Sequence, residues 1–288
     1  MRIIRRPAEI LRLVRQATRQ GKRIGFVPTL GALHEGHASL IRTARRENDL
    51  VVVSLFVNPT QFDRTEDYRN YPRTLGQDRR LAARNGADLL FLPSERAIYP
   101  AGFQTWVEVQ NLSRPWEGRF RPGHFRGVAT VVTKLLNLVQ PDRAYFGQKD
   151  AQQARIVAQL IRDLNLPVRL RILPTVRERD GLAMSSRNRH LSPRERLLAR
   201  RIFPSLHDGR RLIEWGCRRR RLVARRVTRG LRAIPGARIE YVAVVDPATL
   251  EEPDEIRGTV WILAALWIGR TRLIDCCIAR PGRGRRRS

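Results

Sequence analysis

His34 and His37 lie three residues apart in the stretch Phe26–Leu40, FVPTLGALHEGHASL. This spacing sets two imidazoles on one side of a first helical turn. The turn follows a short, apolar, β-prone run, Ile24–Val27, which Pro28 is expected to end. Small residues, Thr29-Leu30-Gly31-Ala32, then lead into a helix carrying Leu40, Ile41 and Ala44. A strand that turns tightly into a helix leaves unpaired N–H groups and a positive dipole end at one point, and phosphates are commonly held there. The pair therefore reads as a phosphate site, its N–H groups facing charge that develops at phosphorus. Two plainer readings stay open. The histidines can be a zinc pair, although no third ligand stands at zinc spacing, or they can simply cap the helix.

Three further clusters carry chemistry. Asn58 and Gln61 follow the apolar run Leu50–Val57. They are either turn residues after Pro59 or amides that grip a small polar substrate. Lys149-Asp150 follows Gly147 at the end of a short strand, as a surface ion pair or as a phosphate contact by a point charge. Gln153, one helical turn further, shares that side. Met184-Ser185-Ser186-Arg187 is a polar loop, or a mobile lid whose hydroxyls and guanidinium fold over a triphosphate. Asp78, Tyr71, Arg73, His124 and Arg126 read as exposed helix or loop residues first and as site residues second.

The elements that must position these groups alternate. The pattern predicts a helix over residues 2–19 and strands at 24–27, 50–57, 88–92, 143–146 and 168–173. Helices between them begin at His34, near Tyr71, at Val128 and around Ile156. Strand–helix alternation of this kind makes an α/β fold, a doubly wound parallel sheet. Such sheets bind ligands beyond the carboxyl ends of their strands, where His34, His37, Asn58, Gln61, Lys149 and Asp150 all fall. From Pro174 the texture changes to a smaller α+β domain. Its expected helices are Pro193–Ile202, one around Leu212, and one with Val223, Val227, Leu231 and Ile234 on one face. A strand, Glu240–Val245, and a hairpin turning at Gly269-Arg270 complete it. The expected organisation is a Rossmann-like domain over 1–175, a C-terminal lid domain over 176–280 and a disordered basic tail, 281–288.

Composition bounds the rest. A chain of 288 residues can bury a full core. It has no apolar run of ~18 residues, the length that spans a bilayer, and its N-terminus lacks a signal-peptide pattern. Its three cysteines form neither a disulfide framework nor a zinc pattern, so a cytoplasmic protein is expected. The formal charge of +29 suits nucleic-acid binding. Yet all but three of the 56 basic residues are arginine, spread over both halves of the chain, which looks more like coding bias than a nucleic-acid surface. The lysines that remain, Lys22, Lys134 and Lys149, gain interest because ammonium and guanidinium are not interchangeable.

Taken in order, VPTLGALHEGHASL, SLFVNPTQF, YPRTL with Asp78, GHFRGVATVVTKLLNLVQPDRAYFGQKDAQQ, RDGLAMSSRN and GRTRLID resemble the pantoate–β-alanine ligase family from residue 1 to about 280. That family belongs to the nucleotidylyltransferase superfamily. The resemblance implies that ATP is a substrate, with Mg2+, and that pantoate and β-alanine are joined through a pantoyl adenylate, releasing pyrophosphate and AMP. It implies ATP contacts from Leu30, Gly31, Ala32, Leu33, His34, Glu35, Gly36 and His37, then Gly147, Gln148, Lys149 and Asp150, then Val176, Met184, Ser185, Ser186 and Arg187. His37 would donate a proton, His34 and Lys149 would meet phosphate, and Asp150 the ribose. Ser185, Ser186 and Arg187 would complete the catalytic group. Gln61 and Gln153 would bind pantoate, with Asn58 and His124 lining the pocket and Asp78 taking part in metal binding. A homodimer is implied, and neither a membrane nor a nucleic acid is expected as a partner.

Three positions depart from the family pattern. Leu30 stands where methionine is usual, a volume-conserving exchange. Cys276 replaces an asparagine, and Arg218–Arg232 is unusually rich in arginine. The alternatives are a ligase that adenylates another small acid, and a basic nucleic-acid-binding protein built on a nucleotidylyltransferase fold.

Overall fold

The computed structural model describes residues 1–282. These divide into two compact units. One comprises Met1–Arg114, Arg121–Gln148 and Gln153–Pro174, and the other Pro115–Phe120, Lys149–Gln152 and the residues from Thr175 onward. Of the basic tail expected at 281–288, residues 283–288 lie outside the described residues.

The first unit holds strands β1 (Arg2–Ile4), β2 (Ile24–Thr29), β3 (Leu50–Leu55), β4 (Leu89–Phe91), β5 (Arg143–Gly147) and β6 (Arg169–Leu173). They form one sheet in the order β1-β4-β3-β2-β5-β6, with every pairing parallel. Helices α1 (Pro7–Arg19), α2 (Glu35–Glu47), α3 (Thr65–Arg69), α4 (Leu75–Arg84) and α5 (Glu95–Ile98) alternate with the early strands. The long α7 (His124–Val139) follows the short α6 (Glu117–Phe120), which belongs to the second unit, and α8 (Ala151–Asp163) leads from β5 to β6.

Alternate residues of one strand feed two cores, as the two-residue period requires. Phe26, Val52 and Phe91 join Ile10 and Val14 of α1 and Val128, Val132 and Leu135 of α7. Val27, Val51, Val53 and Leu90 instead join Leu40, Ile41 and Ala44 of α2 and Ala82 of α4. The sheet is thus wound on both faces.

Several boundaries differ from expectation. Residues 2–4 are not helical; they add an edge strand to β4, and α1 begins at Pro7, where a missing N–H costs nothing. Nor does Pro28 end β2, which pairs with β3 as far as Thr29. Its absent N–H falls on the β5 side, where pairing already stops at Phe26. A helix near Tyr71 starts only at Leu75, and α7 starts four residues early, at His124.

The second unit contains α9 (Pro193–Ala199), α10 (Ile202–Glu214), α11 (Arg220–Arg232) and an antiparallel sheet, β7 (Ala237–Val245), β8 (Val260–Ile268) and β9 (Thr271–Ala279). The helix expected over Pro193–Ile202 ends at Ala199, and Ile202 instead opens α10, the helix expected around Leu212. On α11, Val223, Val227 and Leu231 are buried, with Ile234 just beyond. The hairpin turns at Gly269, whose φ of 56° suits glycine.

Candidate active site

In the first unit, β2 has β3 on one side and β5 on the other. The chain order reverses there, so the carboxyl ends of β2 and β5 border the switch-point crevice of a doubly wound sheet. Thr29 and Gly147 are the residues at those ends. Gly31 (φ 93°) and Ala32 (φ 49°) bend the chain out of β2.

The main-chain amides of this turn are not left open as the sequence led us to expect. Ala32 and Leu33 donate to the two carboxylate oxygens of Asp78 at 3.0 and 2.8 Å. Gly31 donates to Thr29 Oγ1. Gly36 donates to His34 Nδ1 at 3.2 Å, and His34 to His37 Nδ1 at 3.3 Å, a reciprocal capping box built from two histidines. An Nδ1 that accepts a hydrogen bond leaves the neutral ring's proton on Nε2. Both rings therefore carry their proton on Nε2, with centroids 4.1 Å apart.

Asp78 is 3 % exposed and also accepts from Thr74 Oγ1. Its carboxylate shapes the turn. Among the described residues no group of three or more His, Cys, Asp or Glu side chains is arranged to hold a metal ion.

A second cluster in the same unit surrounds Gln61. The Asn58 amide donates to Gln61 Oε1 and to the Gly127 carbonyl, both at 3.1 Å. Asn58 Oδ1 accepts from Thr60 Oγ1 and from the Tyr99 hydroxyl. Asn58 is wholly buried, and its side chain is fully hydrogen-bonded, one of those bonds holding Gln61. His124 Nδ1 donates to the Gln61 carbonyl at 2.7 Å, and Arg121 donates to the same oxygen and to His124 Nε2. With Oε1 occupied, Gln61 has its NH2 group to present to an acceptor. Burial raises the Tyr99 phenol, against the hydrogen bonds of Thr60 and Asn58, so it stays a donor. Gln153 is partly exposed in the first turn of α8.

The second unit brings Lys149 together with Ser185 and Arg187, which line one small cleft with Asn188, Arg272 and Asp275. Lys149 Nζ stands 3.4 Å from Asp150, so the plain ion pair is also present. The Met184–Arg187 stretch is anchored where it begins. Met184 N–H donates to the Val176 carbonyl, Arg177 bridges Ala183, and Gly181 (φ 88°) turns the chain between them. Arg177 grips buried Asp275 through two hydrogen bonds of 2.7 and 2.9 Å. Asn188 ties Glu178 to the Ala183 carbonyl. Cys276 lies buried in β9, so the departure from asparagine is absorbed inside the sheet.

Sequence reasoning passed over Gln152, which accepts the Glu117 N–H and donates to the Pro115 carbonyl. It also missed the buried cluster in which Arg272 binds Glu117 and Glu240, with Tyr241 donating to Glu117. Burial opposes the Arg272 charge, but the hydrogen bonds and charges of Glu117 and Glu240 outweigh it and raise its pKa. No local pattern marks these residues, because their partners lie more than thirty positions away in sequence and, for Glu117 with Tyr241 and Arg272, more than a hundred.

Fold and clusters together define an α/β enzyme of the nucleotide-handling class. Comparison narrows the class. The family model described as pantoate-beta-alanine ligase matches residues 2–278, and the chain belongs to that family. It is 50 % identical to the pantothenate synthetase of Moorella thermoacetica over 275 residues, covering 96 % of this chain and 97 % of that one. Its fold superposes on the pantothenate synthetase of Thermus thermophilus with a TM-score of 0.91 at 45 % identity, covering 96 % and 99 % of the two chains. The pantoate-beta-alanine ligase of Francisella tularensis, solved with beta-gamma ATP and beta-alanine, gives 0.80 at 35 % identity, covering 96 % and 97 %. Among the described residues no helix is long and apolar enough to cross a membrane.

Proposed function

We propose that this chain condenses pantoate with β-alanine, using ATP, by way of a pantoyl adenylate. The observation that carries the reading is the family match over nearly the whole chain, residues 2–278. In the first step a pantoate carboxylate oxygen attacks the α-phosphorus, and the bond to pyrophosphate breaks. In the second, the β-alanine amine attacks the acyl carbon, loses a proton, and AMP leaves with the acyl–oxygen electron pair.

No covalent enzyme nucleophile is needed, so positioning and charge stabilisation carry the rate. His34 and His37 donate through Nε2–H to phosphate oxygens, and His37 supplies the proton or hydrogen bond that the departing pyrophosphate needs. The turn Leu30–Leu33 with Glu35 and Gly36, together with Gly147 and Gln148, borders the nucleotide. Lys149 neutralises phosphate charge and Asp150 accepts from the ribose. Val176 and Met184–Arg187 contribute further nucleotide contacts. Gln61, held by Asn58 and His124, presents its amide to pantoate, with Gln153 as the second amide. The fixed rotamer of Gln61 supports this reading, since a locked amide can select a hydroxy acid.

Mg2+ is proposed as the ion that accompanies ATP. The ion would take most of its oxygen ligands from phosphates and water, the usual way Mg2+ is held beside a nucleotide, with Asp78, which holds the turn beside it, as the nearby carboxylate. When bound it neutralises triphosphate charge. A cytoplasmic homodimer completes the proposal.

Product analysis tests the reaction class. One AMP and one pyrophosphate are expected per pantothenate formed. ADP and orthophosphate as products would overturn it.

A further inference from the structure

The short stretch Lys149–Gln152 is flanked on both sides by residues of the first unit, yet it packs with the second. Gln152 accounts for this. It is 3 % exposed, and both ends of its amide are used on one segment, accepting from Glu117 N–H at 3.0 Å and donating to the Pro115 carbonyl at 2.9 Å. That segment is fastened to β9, where Arg272 binds the Glu117 carboxylate through two hydrogen bonds of 2.7 and 2.8 Å and also binds Glu240. Tyr241 closes the cluster on Glu117. Three residues along β9, Asp275 holds Arg177, whose bridge to Ala183 leads directly into Met184–Arg187. One strand is therefore the common anchor for Lys149 and for the Ser185–Arg187 segment. All of these partners lie within the second unit.

We infer that Gln152 and Arg272 are positioning residues, and that β9, through Arg272–Glu117–Gln152 on one side and Asp275–Arg177 on the other, sets the spacing between Lys149 and Ser185–Arg187 at which ATP phosphate is held. This rests on the proposed phosphate role of Lys149. A buried network with every carboxylate oxygen satisfied is stiff, and stiffness matters because misplacing a contact by ~1 Å can cost about 100-fold.

A double-mutant cycle tests it on the full-length chain, with kcat, KM for ATP, KM for pantoate and Tm measured for each variant. Gln152→Ala is expected to lower kcat/KM for ATP by roughly 10-fold or more, leaving KM for pantoate near its starting value. The double variant K149A/Q152A is expected to match K149A within about twofold, because Gln152 acts through Lys149. Gln152→Met, similar in length, gives the same pattern where the alanine variant folds poorly. If K149A is impaired while Q152A and Q152M keep wild-type ATP kinetics, whatever their Tm, the inference is wrong and the phosphate role stands. Effects that multiply in the double variant overturn it as well. Wild-type ATP kinetics in K149A itself would overturn both together.

Discussion

Each oxygen of Asp78 accepts a main-chain N–H from the turn ahead of α2, so the carboxylate does for that turn what a bound anion would otherwise do. Its removal strands two buried amides, each worth about 1–3 kcal/mol. Asp78→Ala is therefore expected to lose about 2–4 kcal/mol of stability by denaturant unfolding and to raise KM for ATP. An unchanged midpoint would show that the turn holds itself. His37 and Lys149 belong to the other kind of residue, assigned by the proposed function to the nucleotide itself. His37→Ala and Lys149→Ala are expected to keep the wild-type circular dichroism spectrum while losing activity by about 10²–10³-fold, the scale of one transition-state donor. The histidines and Lys149 could be singled out as candidates because their residue types are unusual at strand ends, whereas the serine loop by itself was a weak signal. The task of Asp78 was not, since a carboxylate on a helix looks the same whether it meets a metal or an amide.

At the scale of elements, α7 meets the turn Pro59–Gln61 with no room to spare. A Cβ on Gly127 would stand 2.3 Å from the Thr60 carbonyl oxygen, backbone against backbone, with no flexible side chain to yield. Gly127→Ala should cost about 1–3 kcal/mol by overpacking and raise KM for pantoate, because the displaced turn carries Gln61. Retained KM with lowered Tm would separate packing from substrate binding. The cysteines probe the second unit. Cys276 and Cys277 are buried in β9 and Cys217 is partly exposed, and burial pushes the Cys277 thiol up. A thiol reagent at neutral pH should label one cysteine in the native protein and three after denaturation, and rapid native labelling of all three would contradict the packing of β9. Strand β3 and helix α11 were readable from their apolar periods. The course of β2 through Pro28 and the edge strand β1 were not, because sheet neighbours decide both and the local sequence does not name them.

For the whole molecule, the +29 charge is the most conspicuous property of the sequence and the least informative about function. Family membership over residues 2–278 and the doubly wound sheet explain a nucleotide enzyme without using that charge. The fold class was legible because strand and helix alternate with distinct periods. The long-range clusters of the second unit, Arg272 with Glu117 and Arg177 with Asp275, were not, since nothing local encodes a partner so far along the chain. The central claim is that the enzyme makes an acyl adenylate from pantoate before β-alanine enters. Exchange of labelled pyrophosphate into ATP, measured without β-alanine, tests it most directly. Exchange is expected to require pantoate and to disappear in His37→Ala. Exchange independent of pantoate, or none at all while pantothenate is still formed, would contradict it.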